Sequence, residues 1–102
     1  MIDLAPEHLA IVRRILAERV PLAEVRAFGS RVRGEAKPWS DLDLVIIGDA
    51  RMTPREFGEL REAFEESTLP MRIDLVDWHA TSPAFREVIA AQAVSLMEAR
   101  ER

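Results

Sequence analysis

Two aspartates one residue apart, Asp41 and Asp43, stand at the mouth of the apolar run Leu44-Val45-Ile46-Ile47. In an extended strand, side chains alternate faces, so both carboxylates point the same way and come close enough to share a cation. Two carboxylates on one face repel each other unless a cation or a proton sits between them. Mg2+ suits such a pair, because it takes one or two carboxylates together with phosphate oxygens and water. Ten residues separate Asp41 from a Gly29-Ser30 turn. Gly29 lets the backbone approach a ligand closely, and Ser30 offers a hydroxyl and a nearby amide to a phosphate oxygen. A helix beginning at Ser30 would add partial positive charge there, and Arg31 and Arg33 could neutralise phosphate by forked hydrogen bonds. Taken alone, an Asp-x-Asp pair reads as a solvated strand end and a Gly-Ser pair as a turn. Their spacing in one stretch is what points to phosphate chemistry.

The elements that must hold these residues follow from pattern. Pro6 suits the first turn of a helix running to about Val20, with Leu9, Val12 and Leu16 as its buried stripe and His8 solvated. Val25-Arg26-Ala27-Phe28 reads as a first strand delivering the chain to Gly29, with Arg26 a solvated alternation. Ser30–Gly34 reads as a helical turn and Glu35–Ser40 as a loop, since Pro38 disfavours helix at Lys37. Trp39 in that loop either packs against the loop's base, the preferred reading, or stacks on a nucleotide base. Leu42–Ile47 is apolar on both faces and therefore a central strand of a covered sheet.

Thr53-Pro54-Arg55-Glu56 is a capping box, opening a helix with Phe57, Leu60 and Phe64 in the core and Arg61, Glu62, Glu65 and Glu66 on its wet face. Met71–Val76 reads as a third strand. The intervening helix is long enough for a crossover, so strands two and three are expected to be parallel. Asp74 interrupts the third strand between Ile73 and Leu75. It is either a solvent-facing alternation with Arg72 or a third carboxylate beside Asp41 and Asp43, because burying it unpartnered is costly. Asp77 is the less favoured candidate, and Trp78 and His79 are expected to pack at the core or edge. Ser82-Pro83 opens a last helix whose apolar stripe is expected to comprise Phe85, Val88, Ile89, Leu96 and Met97. The whole reads as one domain over residues 1–102, an α/β (α+β) fold with a small mixed sheet of three to four strands covered by helices.

Gly29-Ser30, ten residues, then Asp41-x-Asp43 resembles the signature of the nucleotidyltransferase superfamily that includes DNA polymerase β. The fuller run GSRVRGEAKPWSDLDLVI resembles its minimal bacterial and archaeal branch, and the likeness extends over roughly Leu22 to Met97. The resemblance implies a nucleotidyltransferase fold and transfer of AMP from ATP to a hydroxyl, with two Mg2+ ions held by three aspartates. It places Asp41, Asp43 and Asp74 at the metal ions and in catalysis, and favours Asp74 as the third acid. Gly29, Ser30, Arg31 and Arg33 would bind the nucleotide. A glycine near Gln92 and a tyrosine near Met97, frequent in the family, are missing. The resemblance further implies an antitoxin that adenylylates a tyrosine of a HEPN-type toxin partner. Transfer to a small molecule or a nucleic-acid end is an alternative. So is a non-catalytic subunit that masks its partner.

Composition bounds these readings. At 102 residues with 48% apolar and 31% charged residues, the chain has the make-up of a soluble globular domain. It lacks an apolar run of membrane-spanning length and a signal-peptide pattern, so a cytoplasmic location is expected. The absence of cysteine excludes disulfides and thiolate metal sites. A net charge of −4 argues against a general nucleic-acid binder, though not against nucleotides, whose metal ions reverse the local field.

Overall fold

The computed structural model describes residues 2–99. Helix α1 (Pro6–Arg19) begins with Pro6 in its first turn and buries Val12, Ile15 and Leu16. Strand β1 (Glu24–Phe28) leads into the four-residue helix α2 (Ser30–Arg33), and β2 (Leu42–Ile47) follows the loop. Helix α3 (Pro54–Glu65) starts with the expected reciprocal cap: Thr53 accepts from the Glu56 amide, and Glu56 accepts from the Thr53 amide. Then come β3 (Ile73–Asp77), a 3-10 turn (Trp78–Ala80), α4 (Pro83–Gln92) and β4 (Val94–Met97).

The four strands lie in the order β3-β2-β1-β4. As the crossover through α3 requires, β2 and β3 are parallel, while β1 runs antiparallel to both β2 and β4. Alternation along β2 divides the core. Leu42, Leu44 and Ile46 join α1 and α3 in the larger cluster, with Ile73 and Leu75 packed against it. On the opposite face, Val45, Phe28 and Ile89 of α4 form a smaller cluster that takes in Val76 and Trp78. Strand β2 is thus covered on both sides, which is why its sequence is apolar apart from Asp43. Among the described residues, no helix is long and apolar enough to cross a membrane.

The end of the chain departs from the sequence-based expectation. Helix α4 stops at Gln92, and Leu96 and Met97 lie in β4 rather than on a helical stripe. Ala93 is extended, with φ −66° and ψ 141°. From there Ser95 is exposed and Leu96 buried, the period-2 pattern of a strand pairing the free side of β1. The Arg13 side chain donates to the Leu96 carbonyl at 3.3 Å and ties β4 to α1.

Candidate active site

Strand register brings two of the acids together. Asp43 and Asp74 are side-by-side partners in the parallel β2–β3 pair. Asp43 alternates with Leu42 and Leu44, and Asp74 with Ile73 and Leu75, so both leave the large core and share the face that carries α4. Asp77 is three residues from Asp74 and therefore falls on the opposite face. Its buried carboxylate accepts from the Met52 amide at 2.8 Å and the His79 amide at 3.0 Å, joining the start of α3 to the 3-10 turn. His79 itself reaches the Gly48 carbonyl at 2.6 Å, and Arg86 lies over the Trp78 ring, so both residues are structural.

The Asp43 carboxyl is pushed up from 3.8 to about 6. Burial is the main cause, followed by the Asp74 charge, a hydrogen bond shared with Asp74, and the Asp41 charge; Arg33 acts the other way. Asp41 lies just before β2 and forms a long pair with exposed Arg72, at 3.6 Å. Among the described residues, no three acidic or histidine side chains stand close enough to hold an ion as they are placed. The donor set nonetheless fits a hard divalent cation. Asp43 and Asp74 stand side by side, and among the described residues the third acid, Asp41, is engaged only by a solvated ion pair of little strength.

The Gly-Ser turn is built against this pair. Gly29 has φ 83° and ψ −159°, a conformation open essentially to glycine alone, and a Cβ there would collide with the Asp43 carboxylate. Its carbonyl accepts from the amides of Val32 at 3.0 Å and Arg33 at 3.1 Å, opening α2. Among the described residues, the Ser30 hydroxyl has no hydrogen-bond partner, which leaves it available to a ligand. Gly34, at φ 79°, closes α2 with a left-handed cap.

The two arginines part company. Arg33 is exposed, pairs with Glu35, and donates to the Gln92 side chain at 3.2 Å. Arg31, expected at phosphate, is buried at 6% exposure and turned into the protein. Its guanidinium donates to the carbonyls of Ser40 at 3.0 Å, Asp3 at 2.9 Å and Pro38 at 3.2 Å. Arg31 thus pins the loop that delivers Asp41 and holds the N-terminal segment against it. The same clamp presents Trp39 outward at 77% exposure, which overturns the packing reading of that residue.

A cleft of about 640 Å³ runs between α3 and the outer edge of β3, lined by Arg61, Phe64, Met71, Ile73 and Leu75. Asp74 borders it, but Ile73 and Leu75 belong to the face opposite the carboxylates. The cleft therefore adjoins the site from behind.

The model of the family described as "Nucleotidyltransferase domain" matches residues 9–100. The chain belongs to that family. This nucleotidyltransferase domain is 50% identical over 97 residues to a Haemophilus influenzae protein named "Probable protein adenylyltransferase MntA", covering 95% of this chain and 85% of that one. A Thermococcus cleftensis protein adenylyltransferase MntA is 41% identical over 64 residues, covering 63% of this chain and 64% of its own. Among solved structures, a toxin-antitoxin complex with AMP-PNP matches with a TM-score of 0.77 at 22% identity, covering 90% of this chain and 74% of the other. The nucleotidyltransferase fold expected from the sequence is therefore the fold observed.

Proposed function

We propose that this enzyme moves AMP from ATP to a hydroxyl, in particular a tyrosine hydroxyl, of a HEPN-type protein partner, and thereby acts as its antitoxin. The observation that carries the reading is the register pairing of Asp43 with Asp74, on the face against which Gly29 is packed. The relatives support the acceptor class. One is named a protein adenylyltransferase, and another structural match is described as a tri-AMPylated Shewanella oneidensis HEPN toxin in complex with MNT antitoxin.

In this reading Asp41, Asp43 and Asp74 would hold Mg2+, two ions in all. Bound there, Mg2+ would neutralise the triphosphate and lower the pKa of the acceptor hydroxyl. Gly29 and Ser30 take the β- and γ-phosphates, and Arg33 balances charge on the leaving pyrophosphate. Arg31 serves indirectly, by fixing the loop before Asp41. The acceptor oxygen bonds to the α-phosphorus as the bond to pyrophosphate breaks, and exposed Asp74 takes the acceptor's proton.

The chain contains no tyrosine, so tyrosyl transfer must occur in trans. Intact-mass measurement of both proteins, after incubation with ATP and Mg2+, should show one or a few AMP units on the partner and none on this chain. EDTA should abolish the gain. A shift on this chain alone would overturn the reading, and a shift on neither would leave a masking subunit.

Docking of the acceptor should use Trp39. An exposed indole two residues from Asp41, on a loop whose neighbouring carbonyls Arg31 pins, has the make-up of an interface anchor. Trp39→Ala is expected to weaken partner binding by roughly tenfold or more, with the KM for ATP unchanged. A raised KM for ATP with unaltered partner affinity would instead assign the indole to the nucleotide base.

A further inference from the structure

At the end of α4, the Gln92 carboxamide oxygen accepts from the Gly29 amide at 2.7 Å and from the Arg33 guanidinium at 3.2 Å. Gly29 is buried, and a buried backbone N–H must find an acceptor. A backbone N–H and a guanidinium converging on one oxygen is the donor pattern that receives a phosphate oxygen. Gln92 is held loosely from its own side. Among the described residues its amide nitrogen reaches only the Val88 carbonyl, at 3.4 Å, and it is the last helical residue, so its side chain can swing away without breaking a helical turn.

We propose that Gln92 is a placeholder for the triphosphate. Its neutral oxygen satisfies Gly29 and orients Arg33 in the empty enzyme, then yields both donors to a phosphate oxygen when nucleotide binds. The exchange runs toward the nucleotide because hydrogen bonds to a charged oxygen are roughly twice as strong as those to a neutral one. This rests on the nucleotidyl-transfer reading and adds a residue that sets nucleotide affinity without belonging to the reacting groups. The internal acceptor competes with the ligand, so removing it should tighten binding. A residue that merely braced the turn would have the opposite effect.

The test is calorimetric titration of the full chain, in Mg2+, with ATP, inorganic triphosphate and AMP. Wild type is compared with Gln92→Ala and with Gln92→Met, which keeps the side-chain length but offers the amide only a weak sulfur acceptor. Both variants are expected to bind ATP and triphosphate about three- to tenfold more tightly, the worth of a neutral hydrogen bond, with AMP affinity unmoved. Turnover should show the same fall in the KM for ATP at constant kcat. Unchanged or weaker triphosphate binding in both variants would overturn the placeholder, as would an equal gain for AMP. Failure of the wild type to bind ATP would instead bring down the nucleotidyl-transfer reading beneath it.

Discussion

Asp43→Asn is expected to abolish AMP transfer while making the metal-free protein more stable. Loss of an outer-shell partner of a metal ligand typically costs about 10- to 100-fold, and removal of a ligand itself should exceed that. The stability gain follows from the carboxyl's displacement, from 3.8 to about 6, by burial and by Asp74 and Asp41. A folded-state pKa above the unfolded one means that the folded protein holds the extra proton between those values. The contribution is then favourable on the acid side and is lost as pH rises through the window from 3.8 to about 6. Asp43 is partly open to solvent, so after allowance for screening the penalty at neutral pH is about 1 to 2 kcal/mol.

Urea denaturation in EDTA at pH ~4 and pH ~8 measures it: wild type should lose stability across the interval, and Asp43→Asn should not. A variant less stable than wild type at pH ~8 would show that Asp43 is not held against like charge. By the same linkage, Mg2+-dependent transfer should climb as pH passes about 6, because the ion requires the ionised carboxylate.

What could be read from the sequence divides along physical lines. The local signals held: Thr53 and Glu56 form their reciprocal cap, and the apolar run Leu42–Ile47 is the covered strand. The crossover length implied the parallel pairing that sets Asp43 beside Asp74. The last strand was hidden because Leu96 lies seven residues after buried Ile89, a spacing a helix also satisfies. Ala93, where the chain turns extended, carries neither the glycine nor the proline that would have marked the break. Arg31 was out of reach for another reason. Its burial depends on the Asp3 carbonyl, a partner distant in sequence, and an arginine two residues past Gly29 looks the same whether it faces phosphate or the interior. Gln92 belonged to no motif at all, and only packing of α4 brings it to the turn.

A methyl group at position 29 should be nearly as damaging as losing Asp43, although it removes no charge. Gly29→Ala must hold an L side chain at φ 83° and ψ −159°, a region that costs about 1–3 kcal/mol. The new Cβ would also overlap the Asp43 carboxylate oxygen. Relief comes most easily by displacing that carboxylate, the far end of a side chain, rather than the paired backbone of β2. Asp43 would then no longer face Asp74, and transfer should fall by about 100-fold or more, since a misplacement of roughly 1 Å can cost that much. Gly34→Ala is the control. It carries a similar φ, 79°, but its Cβ would meet nothing within 4 Å. It should therefore lose about 1–2 kcal/mol of stability and keep its turnover. Thermal denaturation and single-turnover AMP transfer on the pair separate the two effects. If both variants lose activity in proportion to stability, Gly29 serves only the turn; if Gly29→Ala alone fails at chemistry, its hydrogen is the space that Asp43 requires.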